Sequence, residues 1–252
     1  MITGRIINWH VMHREVVMKR IIFIILRRIY IVPFWIYRIC ILGKGNYDEK
    51  TRYTYLHNVT KKVNRAGRVM IECHGTKNLP KENGYIMFPN HQGLFDVLTL
   101  LETHEEPFTF VVKKEVKDTI LVKQIIRLLR AQVIDREDVR QSMKVIMNMT
   151  NEVKEGRNYI IFAEGTRTRD HNNILEFKAG SFKSAMNAKC PIVPVVLIDS
   201  YKAFDTSSIA KLTIQIHYLE PLYYDDYKSM NSKEIAKEVE NRIRDTIIAN
   251  EK

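Results

Sequence analysis

The sequence predicts an α/β protein with a mostly parallel central sheet flanked by helices, preceded by an N-terminal amphipathic helical membrane-binding segment. Two observations carry this. From Gly67 onward, short apolar runs alternate with helix-period patterns, the signature of an α/β layer fold. Before that point the texture is both basic and aliphatic. Residues 1–66 are therefore expected to form the membrane-association segment, and residues 67–252 the α/β domain. A chain of 252 residues is long enough to bury a substantial core. Cys40, Cys73 and Cys190 lie far apart with no CxxC pair, which argues against a disulfide framework or a cysteine zinc site and fits a reducing compartment.

The N-terminal segment reads VVMKRIIFIILRRIYIVPFWIYRICILGKG. Its apolar runs are broken at Arg27–Arg28 and Arg38, so none approaches the ~20 residues that span a bilayer. No small-residue cleavage site follows, which argues against a signal peptide. Arg20, Arg27 and Arg38 fall within about 20° of one another on a helical wheel, although Pro33 is expected to bend or divide the helix. A basic stripe on an aliphatic helix, with Tyr30, Trp35 and Tyr37 nearby, predicts a helix lying in the membrane interface; the plainer alternative is a core helix with snorkelling arginines. Met18, ahead of Lys19–Arg20, is an alternative start to Met1.

Further along, residues 51–66 predict a second amphipathic helix with Leu56, Val59 and Val63 on one face. Strands are expected at 69–74, 85–88, 108–112, 159–163, 192–198 and 213–219. Helices are expected at 95–103, 117–130, 138–155, 180–188 and 232–249, the last announced by the capping box Asn231-x-x-Glu234. The methionines of 143–149 follow a helical pattern and read as core.

Charge is unevenly placed. Residues 1–62 hold twelve Lys/Arg against three acids, nine of the eleven net positive charges. A pI near 9.5 invites a nucleic-acid reading, but the excess sits on an aliphatic segment rather than on a polar, aromatic-interleaved face, so no nucleic-acid partner is expected.

Two strand-end loops carry the chemistry. In YIMFPNHQGLFDVLTLL, residues 85–101, an apolar run breaks at Pro89 and a helix pattern resumes at Phe95. On one continuous helix His91 and Asp96 would point about 140° apart. They meet only if His91 lies in the turn and Asp96 in the first helical turn, at the carboxyl end of a strand where open α/β sheets build their sites. A His–Asp bond would fix the imidazole tautomer and stabilise the imidazolium. No Ser or Cys nucleophile lies in this stretch, so a substrate hydroxyl is a candidate for that part. In YIIFAEGTRTRD, residues 159–170, Glu164-Gly165-Thr166-Arg167 offers a flexible backbone, a hydroxyl and a guanidinium suited to a phosphate, with Arg169 a further cation.

Asn90-His91-Gln92-x-x-x-Asp96 and Phe162-x-Glu164-Gly165-Thr166-Arg167 resemble the first and third motifs of the 1-acyl-sn-glycerol-3-phosphate acyltransferase family. AQVIDRED, with Arg136, resembles the second motif, and PIVPVVL, residues 191–197, the fourth. The four occur in the family's order over about residues 67–222. VVKKE, with Lys113, resembles a family segment between the first two motifs. Gly93 stands where many members have Ser, Ala163 where many have Pro, and Ala131 where a Gly is common.

The resemblance implies transfer of a fatty acyl group from acyl-CoA or acyl-carrier protein to the sn-2 hydroxyl of lysophosphatidic acid, giving phosphatidic acid. It implies His91 as general base, Asp96 as its orienting partner, and Glu164, Gly165, Thr166, Arg167 and Arg136 around the acceptor's phosphate. Asn90 and Lys113 are further substrate-binding candidates. No cofactor, metal or acyl-enzyme is expected. The expected partners are a membrane phospholipid surface, at the cytoplasmic face and without spanning it, the lysophospholipid and the thioester donor. The alternative acceptor is glycerol 3-phosphate or another lysophospholipid. A metal hydrolase using His91, Asp96, Glu164 and His171 lacks any compact ligand spacing. His10, His13, His57, His74, His104 and His217 read as surface or structural, and Asp135 as orienting a loop.

Overall fold

The computed structural model describes residues 19–118 and 122–251. Residues 1–18, including His10, His13 and the alternative start at Met18, lie outside the described residues. Residues 19–27 are helical and 28–31 form a turn. The chain then proceeds as α1 (Val32–Lys44), α2 (Glu49–Ala66), β1 (Val69–His74), β2 (Ile86–Pro89), α3 (Phe95–Thr103), β3 (Phe108–Lys113), α4 (Val122–Leu129), β4 (Gln132–Ile134), α5 (Val139–Lys154), β5 (Asn158–Ile160), α6 (Lys183–Ala188), β6 (Ile192–Ile198), α7 (Lys202–Asp205), β7 (Leu212–Tyr218), α8 (Tyr224–Tyr227) and α9 (Ser232–Asn250). Pro33 sits in the first turn of α1, where its fixed φ suits a helix start, so it divides the N-terminal segment as expected.

The described strands form one sheet of order β1-β7-β6-β2-β5-β3-β4. β6, β2, β5, β3 and β4 run parallel; β1 and β7 are parallel to each other, and β7 meets β6 antiparallel. Both faces of the central strands are covered, which is why they read as unbroken apolar runs. In β2, Ile86 and Phe88 face one core while Met87 faces the other; in β6, Ile192 and Val196 oppose Val193, Val195 and Leu197. The first core is closed by Met149 and Val153 of α5, Phe182, and Ile235, Val239 and Ile243 of α9. The second is closed by Leu42 of α1, Tyr53 and Leu56 of α2, Leu100 and Leu101 of α3, and Ile126 and Leu128 of α4. Residues 32–66 therefore belong to the same core as the sheet, and the expected boundary at 66/67 is not a seam in the packing.

α3 and β6 match their expected bounds, and α9 its start, the last with both halves of its capping box formed. β5 stops at Ile160, three residues short: the Ile161 amide still donates to Met87 O, but the chain then leaves the sheet with Ile161 and Ala163 buried in the loop. The helix expected from residue 180 opens as a 3-10 turn (Ala179–Phe182) before α6, and α4 is shorter than expected. The short helices α7 and α8 are not among the expected elements, and β4 is the apolar stretch of AQVIDRED that leads to Arg136.

The N-terminal segment departs most from expectation. Arg20 is buried, and its guanidinium donates to the carbonyls of Gly67, Ser208 (2.8 Å) and Ala210. Arg27 donates to Ala66 O at 3.1 Å and Arg38 lies over the Tyr55 ring. Arg20 thus turns onto the protein, where backbone carbonyls supply the acceptors that a buried guanidinium requires, while Arg27 and Arg38 reach it from more open positions. Trp35 is buried as well. The exposed side is mainly apolar, with Ile22, Ile25, Leu26, Ile29, Phe34 and Tyr37 exposed and Tyr30 98% exposed, and Lys19, Arg27 and Arg28 are exposed beside them. Among the described residues no helix is long and apolar enough to cross a membrane. Met143 and Met147, expected in the core, are exposed; only Met149 of that cluster's three methionines is buried.

Candidate active site

The expected base and its partner meet at the carboxyl end of β2. Pro89 closes the strand, Asn90 to Leu94 make the turn, and Asp96 lies in the first turn of α3, near the positive end of the helix. His91 Nδ1 is 2.7 Å from Asp96 Oδ2. The same oxygen accepts from the amides of Gln92 (2.7 Å) and Gly93 (2.9 Å), and Oδ1 accepts from the Ser200 hydroxyl at 2.6 Å. Asp96 is fully buried, and a carboxylate surrounded by those donors can only accept from the imidazole. The proton therefore belongs on Nδ1, leaving Nε2 to receive one. The ring rests against Phe162, with centroids 4.1 Å apart, and its side chain remains 24% exposed.

The second loop is bonded to the first on both sides of residue 91. Glu164 Oε1 accepts from the His91 amide at 2.6 Å, and the Thr168 amide donates to His91 O at 2.8 Å. Glu164 Oε2 accepts from the Leu175 amide at 2.9 Å. Burial pushes the Glu164 carboxyl up to about 7, against the pull of these two amides. Expected among the phosphate contacts, Glu164 here turns both oxygens to backbone donors and braces the His91 loop. Asn90, a substrate-binding candidate, also turns to backbone. Its amide is buried and exchanges two bonds with the Leu197 backbone, at 2.9 and 2.7 Å, tying β2 to β6.

Gly165 has φ +77, and a Cβ there would stand 2.7 Å from Arg136 Nη1. Glycine is needed both for that backbone and for the approach of Arg136, which donates to Gly165 O at 2.8 Å. Arg136 therefore reaches the loop from the β4 side of the sheet. Arg167 extends the other way and pairs with Asp205 of α7 at 3.2 Å. A Cβ on Gly93 would have only Arg167 Nη1 (3.8 Å) and Asp205 Oδ2 (4.0 Å) near it, so the serine common at this position would fit. Thr166 is exposed, and Lys113 closes β3 at the same end of the sheet. A recess of about 300 Å³ opens beside Arg167, lined also by Thr168, Arg169, His171, Tyr201, Asp205 and Thr206. A larger one, of about 860 Å³, lies at the opposite end of the sheet, where Gly84 and Pro191 lead into β2 and β6.

Among the described residues no three His, Cys, Asp or Glu side chains gather as a metal site. Asp135 is tied to Lys114 at 2.9 Å and accepts from the Glu137 amide, a loop-orienting part as expected. His104 is structural: burial lowers it to about 4, and it bonds Tyr85 and Glu106 O.

Residues 70–198 match the Acyltransferase family model. A probable 1-acyl-sn-glycerol-3-phosphate acyltransferase of Mycoplasma genitalium is 32% identical over 185 residues, 68% of each chain. The chain belongs to the 1-acyl-sn-glycerol-3-phosphate acyltransferase family. Another probable member, from Mycoplasma pneumoniae, is 26% identical over 80% of each chain. The fold is that of the crystal structure of the 1-acyl-sn-glycerophosphate (LPA) acyltransferase from Thermotoga maritima, with a TM-score of 0.71 at 21% identity, covering 95% of this chain and 98% of that one. In this acyltransferase the sequence motifs point to the His91 loop but not to its supports. Ser200 and Asn172 stand 104 and 80 residues from the partners they hold, Asp96 and Gln92. The one sequence signal for Ser200 is the change from apolar to polar at the end of β6.

Proposed function

We propose that this enzyme transfers a fatty acyl group from an acyl thioester to the sn-2 hydroxyl of lysophosphatidic acid. The observation that carries this reading is the His91–Asp96 bond, in which a saturated, buried carboxylate leaves Nε2 as the basic nitrogen at a partly exposed position. Nε2 accepts the hydroxyl proton as the oxygen attacks the thioester carbonyl, and Asp96 stabilises the imidazolium. When the tetrahedral intermediate collapses, the C–S bond breaks and the thiolate takes that proton, leaving ester and free thiol. No acyl-enzyme, cofactor or metal enters this scheme.

Arg167 holds the acceptor's phosphate in the recess beside it, while Arg136, bonded to Gly165 O, steadies the loop that carries Thr166 and Arg167. Phosphate displaces Asp205 as the partner of Arg167. The names of the relatives support the choice of lysophosphatidic acid.

The apolar side of residues 22–37 is the membrane contact in this reading. β1 and β7 run opposite to β2, so Gly67 and Ala210, where Arg20 anchors the segment, lie at the same end of the sheet as His91. The apolar face and the base would then meet a bilayer together.

Labelled acyl transfer to lysophosphatidic acid in vesicles, by wild type and His91→Ala, tests the proposal. Wild type is expected to form phosphatidic acid, and the variant to lose about 10²–10⁴-fold in rate. A variant within tenfold of wild type, or transfer to glycerol 3-phosphate alone, would refute the assignment.

A further inference from the structure

Helix α5 has two faces. Val145, Met149 and Val153 are buried against the sheet. Val139, Met143 and Met147 recur every four residues and are 69%, 59% and 63% exposed. At about 1.5 Å per residue this stripe is about 12 Å long. Arg140 and Lys144 are exposed within about 60° of Met147 on the helical wheel. The first acid of the helix, Glu152, is engaged by Arg157 and the Tyr159 hydroxyl, and Asp138 caps the Gln141 amide. The outer face is therefore apolar and positive, without an acid among its exposed residues from 139 to 151.

Its position relates it to the active site. β4 ends at Ile134 on the His91 side of the sheet, the Arg136 loop follows, and α5 runs back to β5, which starts at the opposite end. A bilayer lying against the active-site end would meet Val139 and leave Met147 about 12 Å farther off along the helix, by the same rise. The stripe suits a soluble partner docked on the flank of the site. Exposed methionines adapt to an apolar helix face, and Arg140 with Lys144 favours an acidic one.

We propose that the outer face of α5 docks an acidic, helical acyl-carrier protein, so that its thioester-bearing arm reaches His91 past the Arg136 loop. This rests on the acyl-transfer reading above and names the kind of donor that reading leaves open. The partner's acidic helix lies along Met143 and Met147 with its carboxylates at Arg140 and Lys144.

The experiment compares two donors of one chain length, acyl-carrier protein and acyl-CoA, with wild type, Met143→Asp and Lys144→Glu. Calorimetric titration of the carrier protein accompanies the kinetics, and circular dichroism checks the fold. The expected result is carrier binding by wild type, with the KM for acyl-carrier protein raised at least about tenfold in each variant and acyl-CoA kinetics unchanged within about twofold. Equal losses with both donors, no loss with either, or wild-type use of acyl-CoA without carrier binding would overturn the proposal. Weakened vesicle binding by the variants would also overturn it, making the face a lipid contact. Carrier binding lost in the variants, with transfer from neither donor by wild type, would keep the docking face and refute the acyl-transfer reading.

Discussion

Replacing Glu164 by Gln should flatten part of the pH dependence of stability. The carboxyl is 2% exposed, and burial raises it from 4.5 to about 7 in the folded protein. Between those values the folded state holds a proton that the unfolded chain has released. Its stabilising contribution is thus complete below the unfolded pKa and is lost as pH rises through about 7. At about 1.36 kcal/mol per unit, wild type should lose about 2.5 kcal/mol more than Glu164→Gln between about pH 5 and pH 8. The variant should also start lower, because its amide NH2 must face either the His91 or the Leu175 amide, a mismatch of about 1–3 kcal/mol. Urea unfolding of both proteins at the two pH values, followed by circular dichroism, measures this. Other titrating groups cancel in the difference, so parallel pH dependences would show that Glu164 titrates as an exposed acid and that the brace is misread.

Asp96→Asn should cost up to about 10⁴-fold in kcat by permitting the wrong imidazole tautomer, whereas Ser200→Ala, which leaves the tautomer intact, should cost much less. Steady-state rates at saturating acceptor separate the two, and equal losses would contradict the division of labour. Arg167→Ala should raise the KM for the phosphorylated acceptor by about tenfold or more with the donor KM unchanged; a donor-only effect would relocate the phosphate. Tyr30→Asp with Phe34→Asp should weaken vesicle binding while leaving the melting temperature near that of wild type. Arg20→Ala should do the reverse, lowering stability by about 1–3 kcal/mol through loss of its carbonyl partners. Sedimentation with anionic vesicles and thermal unfolding distinguish these outcomes.

What the sequence disclosed follows the range of the forces involved. α3 and α9 were legible because the turn before one and the capping box of the other are local signals. The His91–Asp96 pair was legible because only a turn between strand and helix can bring residues five apart together. The sequence pattern overstates β5, since buried Ile161 and Ala163 continue its apolar run after the ladder has ended. A helical wheel showed that Arg20, Arg27 and Arg38 share a face, but not which way that face turns. The direction is decided by carbonyls at Gly67 and Ala210, far along the chain. The same limit hides Ser200 and the backbone partners of Glu164 and Asn90, which appear only once β2, β5 and β6 lie side by side.

Because Glu164 and Thr168 grip the backbone of residue 91 from its amide and its carbonyl, the two loops are tied into one part. Shortening a side chain on the second loop changes what the site can hold. Bending that loop's backbone, as Gly165→Ala must at φ +77 with Arg136 in the way, shifts the aim of the imidazole as well. In the proposed reaction, damage to the second loop should therefore show up as a slower proton transfer even when every reacting group is still present.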